Sequence, residues 1–308
     1  MKWKPLAVVV ATYKRAGYNP DRPGKPMQDR CFVQELDDGA ICFGVLDGHG
    51  RKGHDVVDWL QQRLPQAVAR CCSSEGCGSY SAGLEEAFLG SQQALLEDTS
   101  VASRASGTTA VVAVLDKRRK VTVGNVGDSR AVLGVAGGGG AWTATALSQD
   151  TTTTMPGELQ RVTAQGAHVD SLGNVFAGPV GISMTRSLGD TVMASVGVLA
   201  EPHFLRVPDI GGGDDADSGV EVPEDRPACI LLASDGIWGV LSNDEAVAIV
   251  GATLNDERGA GEGGGGDDGR ARAARALENL ATAAAEKWQD GLPCEVLRDD
   301  IGCVLVVL

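Results

Sequence analysis

The sequence predicts a single α+β domain in which antiparallel β-sheets are covered by α-helices. Short runs of β-branched and other apolar residues recur along the 308 residues, and each run has the length of a strand. Polar turns such as 37–39 join successive runs, so hairpins are favoured over crossover connections. Helical periodicity is limited to a few segments, and no repeat or linker divides the chain. We therefore expect one domain over residues 1–308.

The predicted strands share an apolar, non-helical pattern and are bounded by turn-forming residues. They cover residues 6–12, 31–33, 43–46, 110–115, 121–126, 131–133, 231–233 and 299–308. The three strands between 110 and 133 follow one another through short turns, which predicts an antiparallel meander. A loop rich in Gly and Pro at 17–26 separates the first two strands.

A second set of segments is predicted to be helical. Apolar residues from Val56 to Leu64 recur at four-residue spacing, and we expect Pro65 to end that helix. The other helices cover residues 84–97, 156–162, 242–250 and 270–289. Ser242 and Glu245 form the sequence signature of a capping box, in which the side chain of each residue accepts a hydrogen bond from the backbone N–H of the other.

Two segments rich in Gly, Asp and Glu indicate acidic inserts, near residues 211–225 and 259–269. Neither has the apolar content needed to build a core. We expect both inserts at the surface, the second of them disordered.

Composition limits the kinds of partner. The chain is 43% hydrophobic but only 4% aromatic, so Ala, Val, Leu and Gly must supply most of the packing. The formal net charge of −14 opposes binding to nucleic acid or to an anionic membrane surface, because like charges repel. The same charge is compatible with divalent cations. We therefore expect no nucleic-acid partner and no membrane partner.

The eight cysteines favour a reducing compartment. Several lie in apolar runs, where a reduced Cys packs as a small hydrophobe. Cys71, Cys72 and Cys77 cluster in a polar segment, but no matching Cys or His cluster completes a zinc site. No apolar stretch reaches the ~18 residues of a membrane-spanning helix, and the short apolar run near the start is too brief for a secretion signal. We expect a cytoplasmic protein, with the nucleus as a second location.

Carboxylates stand at the ends of three predicted strands that are far apart in sequence. Residues 47–50 are Asp-Gly-His-Gly and residues 235–236 are Asp-Gly, each after an apolar run, and the last strand begins at Asp299. We expect both Asp-Gly pairs to form turns at the edge of the core. Mg²⁺ and Mn²⁺ prefer oxygen ligands, and Gly48 leaves its carbonyl unhindered. The hypothesis is a metal centre shared by Asp47, Asp235 and Asp299; for each Asp-Gly taken alone, an ordinary turn is the alternative.

A metal centre of this kind has a recognisable chemistry. Two divalent ions that share a carboxylate lie ~3.5–4 Å apart and activate a water as a nucleophile for phosphorus. His49, two residues after Asp47, is placed to donate a proton to the departing oxygen. The residues therefore favour metal-assisted hydrolysis of a phosphate ester.

Six short segments, in order along nearly the whole chain, resemble motifs of the type 2C protein serine/threonine phosphatases, the metal-dependent phosphatase family. They are Asp-Gly-His-Gly at 47–50, Ser-Gly-Thr-Thr at 106–109, Gly-Asp-Ser-Arg at 127–130, Thr-Arg-Ser-Leu-Gly-Asp at 185–190, Ser-Asp-Gly-Ile-Trp at 234–238 and Arg-Asp-Asp-Ile at 298–301. Any one could arise by chance, but six in order are highly specific. The resemblance implies a sandwich of two antiparallel β-sheets flanked by α-helices, with a dinuclear metal centre at one end.

The resemblance also implies a ligand set for two Mg²⁺ or Mn²⁺ ions. Asp47 would bridge the two ions, and the carbonyl of Gly48 would bind one of them. Asp235 and Asp299 would bind the other ion, and Asp29 would reach the centre through water.

The implied reaction is the hydrolysis of phosphoserine and phosphothreonine in proteins. A hydroxide bridging the two metal ions would attack phosphorus directly, without a phosphoenzyme, and His49 would be the general acid. The implied partner is a phosphorylated protein, and we expect a monomer.

Two departures from the family pattern bear on the chemistry. Gly24 occupies the place nearest to the phosphate-binding arginine of the family, and we expect Lys25 to take that role, with Arg22 as the alternative. Gly239 stands where relatives carry an acidic residue that, with Asp128, holds a third metal ion. Asp128 is therefore either a third-metal ligand or a residue of a turn.

Two further departures concern positions where relatives often carry Asn. Met27 precedes Gln-Asp, and Asp300 follows the last predicted ligand. We expect Asp300 to have little effect on the metals.

Other polar residues near the motifs have ordinary interpretations. We expect His54, His168 and His203 to be structural or solvated, and Arg186 and Asp190 to form a structural ion pair beside the site. Residues 191–200 correspond to a mobile flap that would influence the choice of substrate.

Two alternatives come from other functional classes. A pseudophosphatase would keep the fold as a binding or regulatory module and show degraded metal ligands, whereas the predicted ligands of the dinuclear pair are all present. Two features favour a pseudophosphatase: the phosphate-binding arginine is missing, and Gly239 replaces an acidic residue. A Ca²⁺-binding module would need an Asp-x-Asp-x-Asp-Gly loop, which the sequence lacks.

Overall fold

The computed structural model describes residues 8–20, 22–73, 78–205, 219–256, 266–289 and 298–308. The strands among these residues, numbered along the chain, are β1 (Val9–Arg15), β2 (Asp29–Glu35), β3 (Ile41–Gly50), β4 (Ser106–Thr108), β5 (Ala110–Leu115), β6 (Lys120–Val126), β7 (Arg130–Ala136), β8 (Trp142–Ala146), β9 (His168–Val169), β10 (Val175–Ala177), β11 (Val180–Ile182), β12 (Leu188–Gly189), β13 (Val220–Glu221), β14 (Ala228–Ala233) and β15 (Ile301–Val307). The helices are α1 (Gly53–Ser73), α2 (Tyr80–Glu97), α3 (Glu158–Ala164), α4 (Asp235–Trp238), α5 (Asn243–Leu254) and α6 (Gly266–Gln289).

Two antiparallel sheets pack face to face. One has five strands in the order β1-β15-β14-β7-β8, and the other has seven, in the order β12-β4-β3-β5-β6-β13 with β2 paired to β3. Side chains of β3 and β5 meet side chains of β14 and β15 in a buried cluster between the sheets. Helices cover the outer faces, so the predicted α+β sandwich flanked by helices is confirmed.

The central strands are continuously apolar because both of their faces are buried. In β14, Ile230 and Leu232 point between the sheets, whereas Cys229 and Leu231 point at the helices. Side chains of a strand alternate between its two faces, so a strand covered on both sides needs apolar residues at every position. This is the reason that the runs show no polar alternation.

Each sheet has its own pair of helices. The helices α1 and α2 cover the seven-stranded sheet, and α5 and α6 cover the five-stranded one. In α6, Leu277, Ala281 and Ala284 lie on one face and are fully buried. This helix begins at Gly266, four residues before the predicted start at position 270, so the end of the second acidic insert is helical. The rest of that insert, 259–265, lies outside the described residues.

The prediction that Pro65 ends the first helix is wrong. The helix α1 continues through Pro65 to residue 73. An internal proline removes one backbone hydrogen bond at a cost of ~3 kcal/mol. Leu64 and Val68 are fully buried beside it, and burying each such side chain stabilises the fold by ~1.5–3 kcal/mol. Packing on the sheet therefore outweighs the lost hydrogen bond.

The predicted meander over 110–133 is only partly correct. Strands β5 and β6 form a hairpin, but β7 belongs to the other sheet, where it pairs with β8 and β14. The connecting residue Gly127 is held by Thr151, whose side-chain oxygen accepts a hydrogen bond from its N–H at 2.6 Å. A short turn of this kind can either reverse a strand within one sheet or carry the chain to the next, and the local sequence does not distinguish the two.

The boundaries of other predicted segments also differ from the structure. The strand predicted for 6–12 is β1, which runs from Val9 to Arg15; residues 6 and 7 lie outside the described residues. In the first acidic insert, 211–218 also lie outside them, whereas β13 pairs with β6 and Val220 and Val222 are buried. No helix in the described parts of the chain has both the length and the apolar character needed to cross a membrane.

A smaller unit stands beside the sandwich. Strands β9, β10 and β11 form a three-stranded sheet, and with α3 they enclose a separate apolar cluster that includes Val162, Val175 and Met193. The segment that leads from this unit back to the sandwich contains β12, which pairs with β4. Residues of that segment therefore lie close to the end of β3.

The capping box at the start of α5 provides a test of the fold. Ser242 accepts a hydrogen bond from the N–H of Glu245, and the Glu245 carboxylate accepts one from the N–H of Ser242. We expect Ser242→Ala to lower the free energy of unfolding by about 1 kcal/mol, because one backbone N–H loses its acceptor. Urea denaturation measures the loss. The control is Ser171→Ala at an exposed turn, and equal losses in both variants would contradict the assignment.

Candidate metal centre

The first pair of predicted ligands lies side by side in the seven-stranded sheet. Asp29 on β2 is directly opposite Asp47 on β3 in the antiparallel register. Residues in such a pair point to the same face of the sheet, so the two carboxylates are neighbours. Asp29 is fully buried and Asp47 is partly exposed.

The other sheet holds Asp29 in place through one serine. Ser234 donates a hydrogen bond from its Oγ to Asp29 Oδ2 at 2.6 Å. The same Oγ accepts a hydrogen bond from the N–H of Gly302 at 3.0 Å, and the N–H of Ser234 donates to the Gly302 carbonyl at 3.0 Å. One buried carboxylate is thus fixed at the point where β2, β14 and β15 meet.

Asp235 and Asp299 come to the same point from the five-stranded sheet. Ser234 is the N-cap of the short helix α4, and Asp235 is its first residue. The predicted Asp-Gly turn is therefore the first turn of a helix. Asp299 lies two residues before β15, which is paired with β14. The charges of Asp29, Asp235 and Asp299 all raise the pKa of Asp47, so the structure brings the four predicted carboxylates together.

The Asp-Gly-His-Gly segment is also not a turn. Strand β3 continues to Gly50, because Gly48 and His49 pair with residues of β4, which follows more than fifty residues later. A Cβ at position 48 would lie 2.8 Å from the carbonyl oxygen of Gly53 and 2.9 Å from Val57, so only glycine fits between β3 and α1. The role of the Gly48 carbonyl as a ligand stays a prediction.

The buried carboxylates favour the protonated form. Burial raises the pKa of Asp29 to about 8 and that of Asp235 to about 7, and neighbouring carboxylates add to both shifts. Burial also raises the pKa of Asp47 well above its usual range. The pKa of a carboxyl rises when its charge is neither solvated nor balanced by a cation.

Lys25 faces this group of acids. Its Nζ lies 3.6 Å from Asp299 Oδ1 and 3.6 Å from Asp300 Oδ2. Burial by itself would lower the pKa of Lys25, but the charges of these two residues outweigh it and raise the pKa. Arg22 forms no ion pair with these acids in the described part of the chain. We call Asp29, Asp47, Asp235, Asp299 and Asp300 the acid cluster. Of the two predicted phosphate-binding cations, Lys25 is therefore the one that lies beside it.

The donor set fits a divalent cation. Asp29 Oδ1 and Asp235 Oδ1 are buried and have no hydrogen-bond partner in the described part of the chain. Carboxylate oxygens are the ligands that Mg²⁺ and Mn²⁺ prefer, and a cation would balance their charge. No three His, Cys, Asp or Glu side chains among the described residues form a ready-made ligand set. Binding would therefore require the carboxylates to move closer together around the ion.

His49 follows Asp47 along β3 and is paired with Asp190, a residue for which the sequence analysis predicted a different partner. Its Nε2 is 2.5 Å from Asp190 Oδ2, which also accepts a hydrogen bond from Ser187 Oγ at 2.8 Å. The predicted pair of Arg186 with Asp190 is wrong. Arg186 instead binds Glu158, with Nη2 3.1 Å from Oε1. No spacing rule links His49 to Asp190, because they are 141 residues apart.

The position of Asp190 is strongly constrained. Its φ of 44° lies in the left-handed region, which residues other than glycine rarely adopt. A Cβ at position 107 would lie 2.1 Å from Asp190 Oδ2, so Gly107 makes room for the carboxylate. Burial by itself would lower the pKa of His49, but the charge and hydrogen bond of Asp190 outweigh it and raise the pKa. The structure thus favours a charged imidazole beside the acid cluster.

Asp128 lies near the acid cluster but is held differently. Its Oδ2 accepts a hydrogen bond from Ser183 Oγ at 3.2 Å, and its charge raises the pKa of both Asp47 and Asp235. Burial raises the pKa of Asp128 itself, and the charge of Asp150 adds to the shift. Gly239 has no side chain, so this position supplies no second carboxylate for a metal ion at Asp128. A third metal site at Asp128 stays a prediction.

Asp300 holds the loop that carries Lys25, a role that the sequence did not indicate. It is buried, and its two oxygens accept hydrogen bonds from the N–H groups of Gly17 at 2.7 Å and Gln28 at 2.8 Å. It therefore fixes both ends of the loop that carries Lys25. A short acidic side chain often binds nearby backbone N–H groups, but these partners are more than 270 residues away and give no local signal.

The buried cysteines are not organised for nucleophilic chemistry. Among the described residues, Cys31, Cys42, Cys229 and Cys303 are buried and form no disulfide. Burial raises the pKa of Cys31 and of Cys229 to about 12, so both stay protonated near neutral pH. Cys77 and Cys294 lie outside the described residues.

Comparisons with known proteins agree on one family. A family model described as Protein phosphatase 2C matches residues 24–288. Probable protein phosphatase 2C 64 of Oryza sativa subsp. japonica is 30% identical over 286 residues, which are 88% of this chain and 58% of that protein. Protein phosphatase 1L of Bos taurus is 30% identical over 221 residues, 70% of this chain and 56% of that protein. The chain thus spans less than two thirds of either relative.

Solved structures share the fold at lower identity. A serine-threonine phosphatase 2C from Toxoplasma gondii matches with a TM-score of 0.70 and 20% identity, over 97% of this chain and 94% of that one. A C. elegans sex determining protein matches with a TM-score of 0.73 and 18% identity, over 100% of this chain and 66% of that one. At these identities the likeness concerns the fold alone.

The pairing of His49 with Asp190 predicts a measurable titration. In the metal-free protein we expect the His49 ring to titrate above the ordinary value of 6.5, and its pKa to fall in Asp190→Asn, because the charged imidazole loses a carboxylate. Nuclear magnetic resonance of the labelled imidazole across pH measures both values. The control is Asp225→Asn, which removes an exposed carboxylate. An unchanged His49 pKa in Asp190→Asn would contradict the pairing.

Proposed function

The chain belongs to the protein phosphatase 2C family, and from that premise we propose that it is a metal-dependent phosphatase for phosphoserine and phosphothreonine in proteins. The observation that supports this best is the group of carboxylates around Asp29, with Oδ1 of Asp29 and of Asp235 buried and without a hydrogen-bond partner in the described part of the chain. His49, paired with Asp190, lies beside this group. A phosphate ester needs neutralisation of its negative charge and a proton for its leaving group. Cations at the carboxylates and the imidazole of His49 would meet these two needs.

Asp29, Asp47, Asp235 and Asp299 would hold two Mg²⁺ or Mn²⁺ ions, with the carbonyl of Gly48 as a further ligand. When bound, the ions would activate water for direct attack on phosphorus and offset the charge of the phosphate. The protein's own contribution is to gather these acids at one point of the fold. Asp29, which would reach the centre through water, is already fixed there by Ser234.

His49 would donate the proton to the departing oxygen. Its Nε2 is engaged by Asp190, and its Nδ1 is buried without a hydrogen-bond partner in the described part of the chain. We assign the transferred proton to Nδ1. Asp190 would act as a positioning residue that fixes the ring and keeps it charged.

Lys25 would bind the phosphate as a point charge. It already faces two carboxylates of the cluster and is partly exposed, so a phosphate can approach it from solvent. Arg22 is the alternative. Asp128 is proposed as a ligand of a third, weaker site only if another group replaces the acidic residue missing at Gly239.

The partner is proposed to be a phosphorylated protein, bound by a monomer in the cytoplasm or the nucleus. A nucleic-acid partner is disfavoured by the net charge of −14. The rival function is that of a pseudophosphatase, which the absence of an arginine at Gly24 favours. The four carboxylates argue against it, because a module that only binds would have no need for acids that repel one another.

The proposed activity has a direct test. We expect hydrolysis of p-nitrophenyl phosphate with millimolar Mn²⁺ or Mg²⁺, and loss of turnover when a chelator removes the metal. Asp235→Asn should lower kcat/KM by about 100-fold or more, because a ligand charge is lost without a change of shape. The control is Asp225→Asn at an exposed position, which should retain the activity.

The opposite result is equally clear. A folded wild-type protein that shows no turnover at millimolar metal would refute the enzyme and support the pseudophosphatase. Circular dichroism and thermal unfolding of the same sample establish that it is folded.

A further inference from the structure

A pocket lined by cationic side chains opens beside the acid cluster. It has a volume of about 290 Å³, and we call it the basic pocket; its polar lining comes from Arg22, Lys25, Gln28, Gly50, Arg51 and His54. None of the described residues that line it is acidic. The chain as a whole carries a net charge of −14, so this local excess of positive charge opposes the general trend.

The basic pocket is built from two segments that are joined by hydrogen bonds. Arg22 and Lys25 lie on one turn, closed by the N–H of Lys25 donating to the Arg22 carbonyl at 3.0 Å. Gln28, at the end of that loop, donates from Nε2 to the carbonyl of Gly50 at 3.1 Å. The loop and the end of β3 therefore hold a fixed spacing, and Arg51 follows directly after β3.

Two of the guanidinium groups are free to bind an anion. Arg22 and Arg51 are exposed, and neither forms an ion pair with a carboxylate in the described part of the chain. Several arginines elsewhere are paired with a carboxylate, for example Arg30 with Asp58 at 2.6 Å. A guanidinium presents a planar fork of N–H donors that matches a carboxylate or a phosphate.

The start of α1 adds to this character. The helix begins at Gly53, and its second residue, His54, lines the basic pocket. The N-terminus of a helix carries a partial positive charge. The carboxylate of Asp55, in the same turn, is occupied: it lies 3.0 Å from Lys52 Nζ and 3.3 Å from His54 Nε2.

Lys25 connects the basic pocket with the acid cluster. It lines the pocket, and its Nζ is 3.6 Å from Asp299 Oδ1. The pocket contains none of the four predicted metal ligands. A group bound there would lie next to Lys25, the residue proposed to bind the scissile phosphate, so a neighbouring residue of the same substrate could reach it.

We propose that the basic pocket, through Arg51 and Arg22, binds a second anionic group of the substrate, close in sequence to the phosphoresidue that is hydrolysed. The group is a carboxylate or a second phosphate, since both match the guanidinium fork. This inference rests on the proposed phosphatase function. The enzyme then prefers phosphoproteins whose phosphosite lies beside an acidic or phosphorylated residue.

A simpler role for the basic pocket would be to hold the scissile phosphate itself. The two roles differ in their dependence on substrate. A binding site for the scissile phosphate raises the affinity for every phosphopeptide equally. A second anion site raises the affinity only for peptides that carry a second anion. A ratio between two peptides therefore separates them.

The experiment compares three phosphothreonine peptides that differ at one flanking residue, which is Ala, Glu or phosphoserine. Mass spectrometry follows loss of phosphate from the phosphothreonine with Mn²⁺ present, and fluorescence polarisation of labelled peptides measures binding without turnover. The proteins are the wild type, Arg51→Ala and Lys52→Ala. Lys52 is the matched control, because it adjoins Arg51 but is paired with Asp55 and does not line the basic pocket.

For the wild type we expect kcat/KM and affinity to be about 3- to 10-fold higher for the Glu or phosphoserine peptide than for the Ala peptide, the range of an exposed charge-assisted contact. In Arg51→Ala both ratios should fall to near one, and in Lys52→Ala they should persist. If only the Glu peptide or only the phosphoserine peptide is preferred, that peptide shows whether the bound group is a carboxylate or a phosphate.

Three results would overturn the inference. They are a wild-type ratio near one, a ratio in Arg51→Ala that stays high, and an equal loss of the ratio in Lys52→Ala. Failure of the proposed function is a separate result, namely no turnover of any peptide or of p-nitrophenyl phosphate. The polarisation ratios would still decide the binding role of the basic pocket in that case.

Discussion

The interaction on which the site depends is the repulsion among carboxylates buried where the two sheets meet. Asp29 is fully buried, and its pKa is raised to about 8 because burial and its acidic neighbours both disfavour the charge. Folding brings this residue together with Asp47 and Asp235 although their mutual repulsion destabilises the metal-free molecule. The apolar clusters on both sides of each sheet stabilise the fold and offset this repulsion. The hydrogen bond from Ser234 to Asp29 joins the sheets at the same point, so the architecture and the acid cluster are inseparable.

Much of the fold and of the acid cluster was predictable from local patterns. The apolar runs that became β5 and β14 are buried on both faces, and such runs are recognisable without knowledge of their partners. The capping box of Ser242 and Glu245 formed as predicted, because it involves neighbours in sequence only. Asp47, Asp235 and Asp299 were predicted from their position at strand ends, whereas Asp29 was implied by the family resemblance alone.

What the sequence could not supply was the long-range pairing. Strand β3 passes through His49 because β4 pairs with it, and that partner is not visible in the local segment. Asp190 and Asp300 were missed for the same reason: each binds atoms far away in sequence, one His49 and the other the backbone of Gly17 and Gln28. The proline in α1 was misjudged because its local cost is known, whereas the packing that offsets it appears only in three dimensions.

The central claim is that the buried carboxylates form a site for divalent cations, and thermal unfolding with and without Mn²⁺ tests it most directly. The folded-state pKa of Asp235 is raised from 3.8 to about 7, so the folded protein loses stability as the pH rises through that window. At pH 7.5, metal-free Asp235→Asn should therefore unfold at a higher temperature than the metal-free wild type. Mn²⁺ should then stabilise the wild type and have much less effect on the variant, because binding to the folded state alone raises the unfolding temperature. A metal-free variant that unfolds at a lower temperature than the wild type, or an equal shift of both proteins by Mn²⁺, would contradict the account.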